Sequence, residues 1–206
     1  MVICQDCRLV FASGFPKLAG MSPTAAIDEA VAIVRRGGVI AYPTEGVWGL
    51  GCDPFDESAV LRLLALKQRD VDKGLILVAA TVAQLDGLVD WDRLQAGTRD
   101  EVIASWPGPH TWIVPVTARV PRWITGTHDG LAVRVSGHPL VAALCMRYGN
   151  PLVSTSANVG GMPAPRTRAE LAPEIALGVD AIVAGETSGL AQPTTIRDAR
   201  DGRLIR

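Results

Sequence analysis

Four short clusters of polar side chains hold the chemistry this sequence offers. The first runs Tyr42-Pro43-Thr44-Glu45-Gly46-Val47-Trp48-Gly49-Leu50-Gly51-Cys52-Asp53. Its three glycines let a backbone turn tightly and approach a ligand. Thr44 and Glu45 follow a buried apolar run, the place where α/β proteins bind small molecules. The same string also fits a glycine-rich turn with Trp48 in the core. The second cluster, Lys67-Gln68-Arg69-Asp70-Val71-Asp72-Lys73-Gly74, sets three cations close together. Arginine forks onto phosphate oxygens and lysine meets them as a point charge, but a helix C-terminus favours cations in any case. The third, Trp106-Pro107-Gly108-Pro109-His110-Thr111, reads alone as a turn before a strand. Arg134, inside Ala132-Val133-Arg134-Val135, is more telling. A charge buried there needs a partner, either an internal acid or a substrate carboxylate. The fourth, Ser154-Thr155-Ser156-Ala157-Asn158, offers donors and acceptors around a ligand, or a helix cap or Ser/Thr turn. Taken together, the clusters point to one site for an anionic, phosphate-containing small molecule.

The elements that must position these clusters can be read from periodicity. Ile27, Ala30, Val31 and Val34 share one helical face, with Ser22 as cap, Pro23 at the first turn and Gly37-Gly38 as the stop. Residues 39–42 read as a buried strand, followed by a glycine-rich loop. Asp56 caps a helix running to about Lys67. Residues 75–78 read as a strand, 81–87 and 92–104 as helices, and 111–117 and 131–135 as strands. His138 to Tyr148 reads as a helix. Leu152-Val153 is a short strand entering a polar loop. Thr167 to Glu170 has the pattern of a capping box, and late strands fall near 181–183 and 195–205. The alternation predicts the α/β class: one domain with a twisted, mixed to parallel sheet and flanking helices.

The chain has 206 residues. At roughly 150 residues per domain this favours a single domain. It is 48% hydrophobic and 20% charged, the balance of a folded protein. No stretch approaches the roughly 18 apolar residues of a membrane span. A net charge of −1 argues against strong nonspecific RNA binding. Cys4, Cys7, Cys52 and Cys145 are too few for a disulfide scaffold. Cys4 and Cys7 have C-x-x-C spacing, but no second ligand pair matches it, and no tightly bound metal is expected. Residues 1–21 read as an N-terminal arm or a start-site extension, and 22–206 as the one domain that carries the four clusters. Without a secretory pattern, the expected compartment is the cytoplasm. P-loop, nucleophile-elbow and zinc-protease motifs are absent from the sequence.

In this order, the strings resemble the YrdC/TsaC family of threonylcarbamoyl-AMP synthases. They run Ala41 to Glu45, Gly51-Cys52-Asp53, Leu66 to Arg69, Lys73 to Ile76, Trp106 to Pro109, Ala132 to Val135, Pro151 to Asn158 and Pro193 to Asp198. The resemblance spans residues 22–206 and is to the short single-domain bacterial form. It implies a concave, electropositive site that makes threonylcarbamoyl-AMP and pyrophosphate from L-threonine, bicarbonate (or CO2) and ATP, with Mg2+ carried on the nucleotide. Downstream proteins would transfer the group to tRNA beside the anticodon. The same resemblance implies that Lys67, Arg69, Lys73 and Arg206 hold ATP phosphates, and that Ser154, Ser156 and Asn158 line the meeting point of nucleotide and carbamate. Lys67, Arg69, Ser154 and Asn158 would do the positioning, with no protein nucleophile. Thr44, Thr111, Arg134 and Thr194 would bind threonine. The family's usual Pro-Ser-Thr is here Pro193-Thr194-Thr195, which keeps a hydroxyl. The alternative reading is a non-catalytic RNA-binding maturation factor.

Overall fold

The computed structural model describes residues 21–190 and 194–205. The first helix, α1 (Pro23–Arg35), starts where Ser22 accepts a hydrogen bond from the Ala25 amide at 3.3 Å. It ends as the double glycine requires. Gly37, at φ +78°, donates to Val34 and Gly38 donates to Ile33, a Schellman closure. Strand β1 (Ile40–Pro43) is buried along its whole length.

The next element departs from the sequence reading. Where a glycine-rich loop was expected, Trp48–Gly51 forms β2, fully buried and antiparallel to β1. A Trp-Gly-Leu-Gly string has no alternation of apolar with polar residues to read. Its strand state comes from pairing with β1 on one side and β6 on the other. Glycine at position 51 is required by close approach: a Cβ there would lie 2.7 Å from the Val153 carbonyl and 2.8 Å from the Tyr42 ring. Gly51→Ala is expected to lower stability by about 1–3 kcal/mol. A thermal melt checks this, and an unchanged Tm would contradict the packing described.

Asp56 caps α2 (Glu57–Leu66) through the Ala59 amide at 3.0 Å. The chain continues through β3 (Ile76–Ala79), α3 (Thr98–Ala104), β4 (His110–Pro115), α4 (Arg122–Thr125) and β5 (Gly130–Val135). It ends with α5 (Pro139–Tyr148), β6 (Leu152–Ser156), α6 (Pro173–Gly178), β7 (Ala181–Ile182) and β8 (Thr195–Asp198). Four further readings are corrected. The helix expected over 92–104 is a 3-10 turn, Trp91–Arg93, and then α3, parted at Gly97 with φ +84°. The segment 81–87 holds only a 3-10 turn, Val82–Leu85. Only half of the capping box forms: the Thr167 side chain caps no amide, while the Glu170 carboxylate accepts from the Arg166 amide at 2.7 Å and also bonds Thr167. Ser154 to Ser156 are strand residues of β6 rather than a loop.

One mixed sheet takes the order β7-β1-β2-β6-β3-β5-β4-β8. Alternate strand residues feed two cores. Ala41, Leu50, Leu77, Val133 and Val153 pack with α2, α4 and α6, while Ile40, Tyr42, Val78 and Leu152 pack with α1 and α5. The second face is covered only in part. Beyond α5, a cross-strand row of Asp198, Ile113, Ala132, Ile76 and Ser154 is left facing a cavity. Arg134 lies opposite Val78, so it marks the border between the α5 core and that cavity.

Candidate functional site

The cavity has a volume of about 490 Å3, within the range of small-molecule sites. Five cationic side chains line it, Arg69, Lys73, Arg134, Arg200 and Arg203, against two carboxylates, Asp129 and Asp198. Thr44, Thr194, Ser154 and Ser156 add hydroxyls. Residues of the first, second and fourth sequence clusters meet here with Arg134, whereas none of Trp106 to Thr111 lines the cavity.

Arg134 is 4% exposed. Its Nη1 donates to Thr194 Oγ1 at 2.9 Å and to Thr111 Oγ1 at 3.2 Å. Its Nη2 lies 3.4 Å from Glu45 Oε2, and its Nε has no hydrogen-bond partner. The sequence left two partners open, an internal acid and a substrate carboxylate. The internal acid is present, and guanidinium donors remain beside the cavity. Thr44 closes the β1–β2 turn by donating to the Val47 carbonyl at 2.7 Å, and it also lines the cavity. Thr111 does not line it: at 1% exposed, it sits behind Arg134 as a support.

The end of α2 explains how the cations are placed. Gln68 takes a left-handed conformation, φ +49°, and donates to Ala65 while Arg69 donates to Leu64. This is again a Schellman closure, here formed without glycine at a cost of about 1–2 kcal/mol. It turns Lys67 and Arg69 to different tasks. Arg69 reaches the cavity wall, where its Nη2 donates to the Gly74 carbonyl at 2.9 Å. Lys73 lines the same wall. Lys67 does not line the cavity. It is 3% exposed, and its ammonium donates to the Ser156 carbonyl and, at 2.8 Å, to the Asn158 carbonyl. Burial, with the nearby Arg69 charge adding to it, lowers its pKa to about 8. Asn158 is likewise turned away from the cavity. It accepts from the Ser156 hydroxyl and donates to the Met162 carbonyl at 2.6 Å. Lys67 and Asn158 thus brace the β6 exit from behind, while Ser154 and Ser156 face the cavity.

Two features escaped sequence reasoning. Glu45, 4% exposed, accepts from the Ser136 hydroxyl at 2.6 Å and sets its other oxygen against Arg134. Its place beside Thr44 was visible, but its inward turn depends on partners distant in sequence. At the far end, Arg200 grips both Asp129 oxygens at 2.8 and 2.7 Å and forks onto Asp198. That hydrogen bonding holds both carboxyls below the ordinary range. It ties the segment after β8 to the turn before β5. The Asp-x-Arg spacing of Asp198 and Arg200 was the only sequence signal. Arg206, Pro193, the arm at 1–20 and its Cys4 and Cys7 lie outside the described residues. Among the described residues, no group of three or more His, Cys, Asp or Glu is placed to hold a metal ion. No helix among them is long and apolar enough to cross a membrane.

Known proteins share this architecture. Residues 32–206 match the Sua5/YciO/YrdC family model, described as "Telomere recombination". A protein named threonylcarbamoyl-AMP synthase from Xanthomonas euvesicatoria pv. vesicatoria is 61% identical over 186 residues, covering 90% of this chain and all of that protein. Among solved structures, P. abyssi Sua5 complexed with L-threonine is 32% identical with a TM-score of 0.80. That match covers 89% of this chain, which spans only 54% of the Sua5 chain. E. coli YciO is 27% identical with a TM-score of 0.75, covering 89% of each chain. The family match, the sequence identities and the shared fold agree, and the chain belongs to the Sua5/YciO/YrdC family.

Proposed function

We propose that this chain is a threonylcarbamoyl-AMP synthase, an enzyme of the nucleotidyltransferase class. It joins L-threonine, bicarbonate or CO2, and ATP, and releases pyrophosphate. The observation that carries this reading is one cavity lined by cations from separate parts of the chain. Arg69 and Lys73 come from the segment after α2, Arg134 comes from β5 and is bonded to Thr194, and Thr44, Ser154 and Ser156 line the same space.

The chemistry asks for orientation and charge neutralisation rather than a protein nucleophile. The amine of threonine adds to CO2 and loses a proton, giving a carbamate. A carbamate oxygen then attacks the α-phosphorus of ATP, and the bond to the pyrophosphate oxygen breaks. Arg69 and Lys73 offset charge on the phosphates, which arrive as the Mg2+ complex. Arg134 receives the threonine carboxylate, and Thr44 and Thr194 offer hydroxyls beside it. Holding three reactants in line supplies much of the rate gain. Lys67 and Asn158 act at one remove, by fixing the strand end that carries Ser154 and Ser156. Arg206 belongs with the phosphate end by resemblance.

The product serves proteins that transfer the threonylcarbamoyl group to tRNA, which sets the reaction in the cytoplasm. The names of the family relatives favour catalysis over the RNA-binding alternative. The test is pyrophosphate release by the purified protein with Mg2+ and ATP, across all amino acids, with and without bicarbonate. Release that needs both threonine and bicarbonate is expected. Release with another amino acid would overturn the substrate, and none at all from folded, ATP-binding protein would overturn the reaction.

A further inference from the structure

We infer that Glu45 makes the amino-acid end of the cavity select a zwitterion, by positioning and partly neutralising the Arg134 guanidinium. The inference rests on the reading that Arg134 receives a substrate carboxylate.

Glu45 is fixed from behind. Its Oε1 accepts from the Ser136 hydroxyl at 2.6 Å, and the same hydroxyl oxygen accepts from the His138 amide at 3.2 Å. Its Oε2 stands 3.4 Å from Arg134 Nη2 but has no hydrogen-bond partner, and neither has Arg134 Nε. Both side chains are buried, at 5% and 6% exposure. A buried ion pair is costly when its remaining lone pairs and protons go unmet, and an unmet buried polar atom calls for an explanation. Here one acceptor and one donor are left over within the same pair, at the border of the cavity.

Neither leftover atom is open to the cavity, so a ligand meets the pair through Arg134 and through its field, and one that carries a negative and a positive group leaves that balance of charge unchanged. A simple carboxylate does not, because it would set a second anion against a guanidinium that Glu45 already opposes. Like charges that share a site disfavour ionised binding. An α-amino acid brings its ammonium with its carboxylate and adds no net charge. The α-hydroxy acid of the same shape brings only the anion. Glu45 does not line the cavity, so it acts through Arg134 and through the local field, as a positioning residue.

The test is titration calorimetry on the full chain with three ligands: L-threonine, the 2,3-dihydroxybutanoate of matching configuration, and Mg·ATP. Wild type is expected to prefer threonine over the hydroxy acid. In Glu45→Gln that preference should shrink by at least about tenfold, with the hydroxy acid bound more tightly and ATP affinity within about twofold of wild type. A preference left unchanged in folded Glu45→Gln overturns the inference. Should that variant not fold, Ser136→Ala decides. It keeps both charges but frees Oε1, and it is expected to weaken threonine by about three- to tenfold without affecting ATP. Unchanged threonine affinity there overturns the inference. Wild-type protein that binds ATP but not threonine would instead overturn the functional reading beneath it.

Discussion

Replacing Arg134 with alanine is expected to abolish measurable threonine binding and to lower stability by about 3–5 kcal/mol. Both effects have one cause. Arg134 and Glu45 are buried against each other, with side-chain exposures of 5% and 6%. Removing the guanidinium leaves the Glu45 carboxylate buried with only the Ser136 hydroxyl on one oxygen. It also takes the donor from Thr111 and Thr194. Arg134→Lys separates the two effects. The charge is kept, so most stability should remain, but the planar fork is lost. The threonine KM is then expected to rise by about ten- to a hundredfold, the worth of one or two hydrogen bonds to a charged group, with ATP affinity unchanged. Denaturant melts and steady-state kinetics on both variants check this. Equal losses for threonine and ATP would remove Arg134 from the carboxylate role.

Lys67→Met is expected to cut kcat/KM by at least about a hundredfold while leaving a folded protein. The lysine is not at the cavity surface, so this loss would come through the chain it holds. Its ammonium binds the carbonyls of Ser156 and Asn158, and its own carbonyl accepts from Gly160 at 2.8 Å. Without it, the Ser154–Ser156 hydroxyls lose their fixed direction toward the reactants. A pH profile tests the same idea. The ammonium is lowered to about 8 by burial and by Arg69, so it loses its proton well below the ordinary lysine range. The charged form is the one that binds the carbonyls. Activity should therefore fall as pH rises through about 8. Lys67→Arg keeps its charge throughout, so its residual activity should lack that alkaline fall. A wild-type profile flat to pH 9.5, or the same fall in Lys67→Arg, would contradict the account.

The elements legible in the sequence were those fixed by local signals. α1 and α2 carry their own caps and one-sided apolar stripes, and both ended within a residue or two of the expected places. The elements that were misread are fixed by contacts across the sheet. β2 is two glycines alternating with Trp48 and Leu50, and only its neighbours make it a strand. Ser154 to Ser156 look like a loop because they are polar, yet they are polar because that face of β6 meets the cavity instead of a helix. The site shows the same division. Arg134 was recognisable because a charge in an apolar strand needs a partner, but Glu45 as that partner lies 89 positions away in sequence. Lys67 and Arg69 looked equivalent on the page. The left-handed Gln68 between them sends one behind the strand end and the other to the cavity wall.

The central claim, that one cavity builds a carbamate and then an adenylate, is tested most directly by following the carbon. The purified protein is given 13C-bicarbonate, L-threonine and Mg·ATP, and the nucleotide product is weighed by mass spectrometry while pyrophosphate is counted. The account expects an AMP adduct of threonine that carries one labelled carbon, formed one for one with pyrophosphate. An unlabelled threonyl adenylate, or pyrophosphate without any threonine-containing nucleotide, would contradict it.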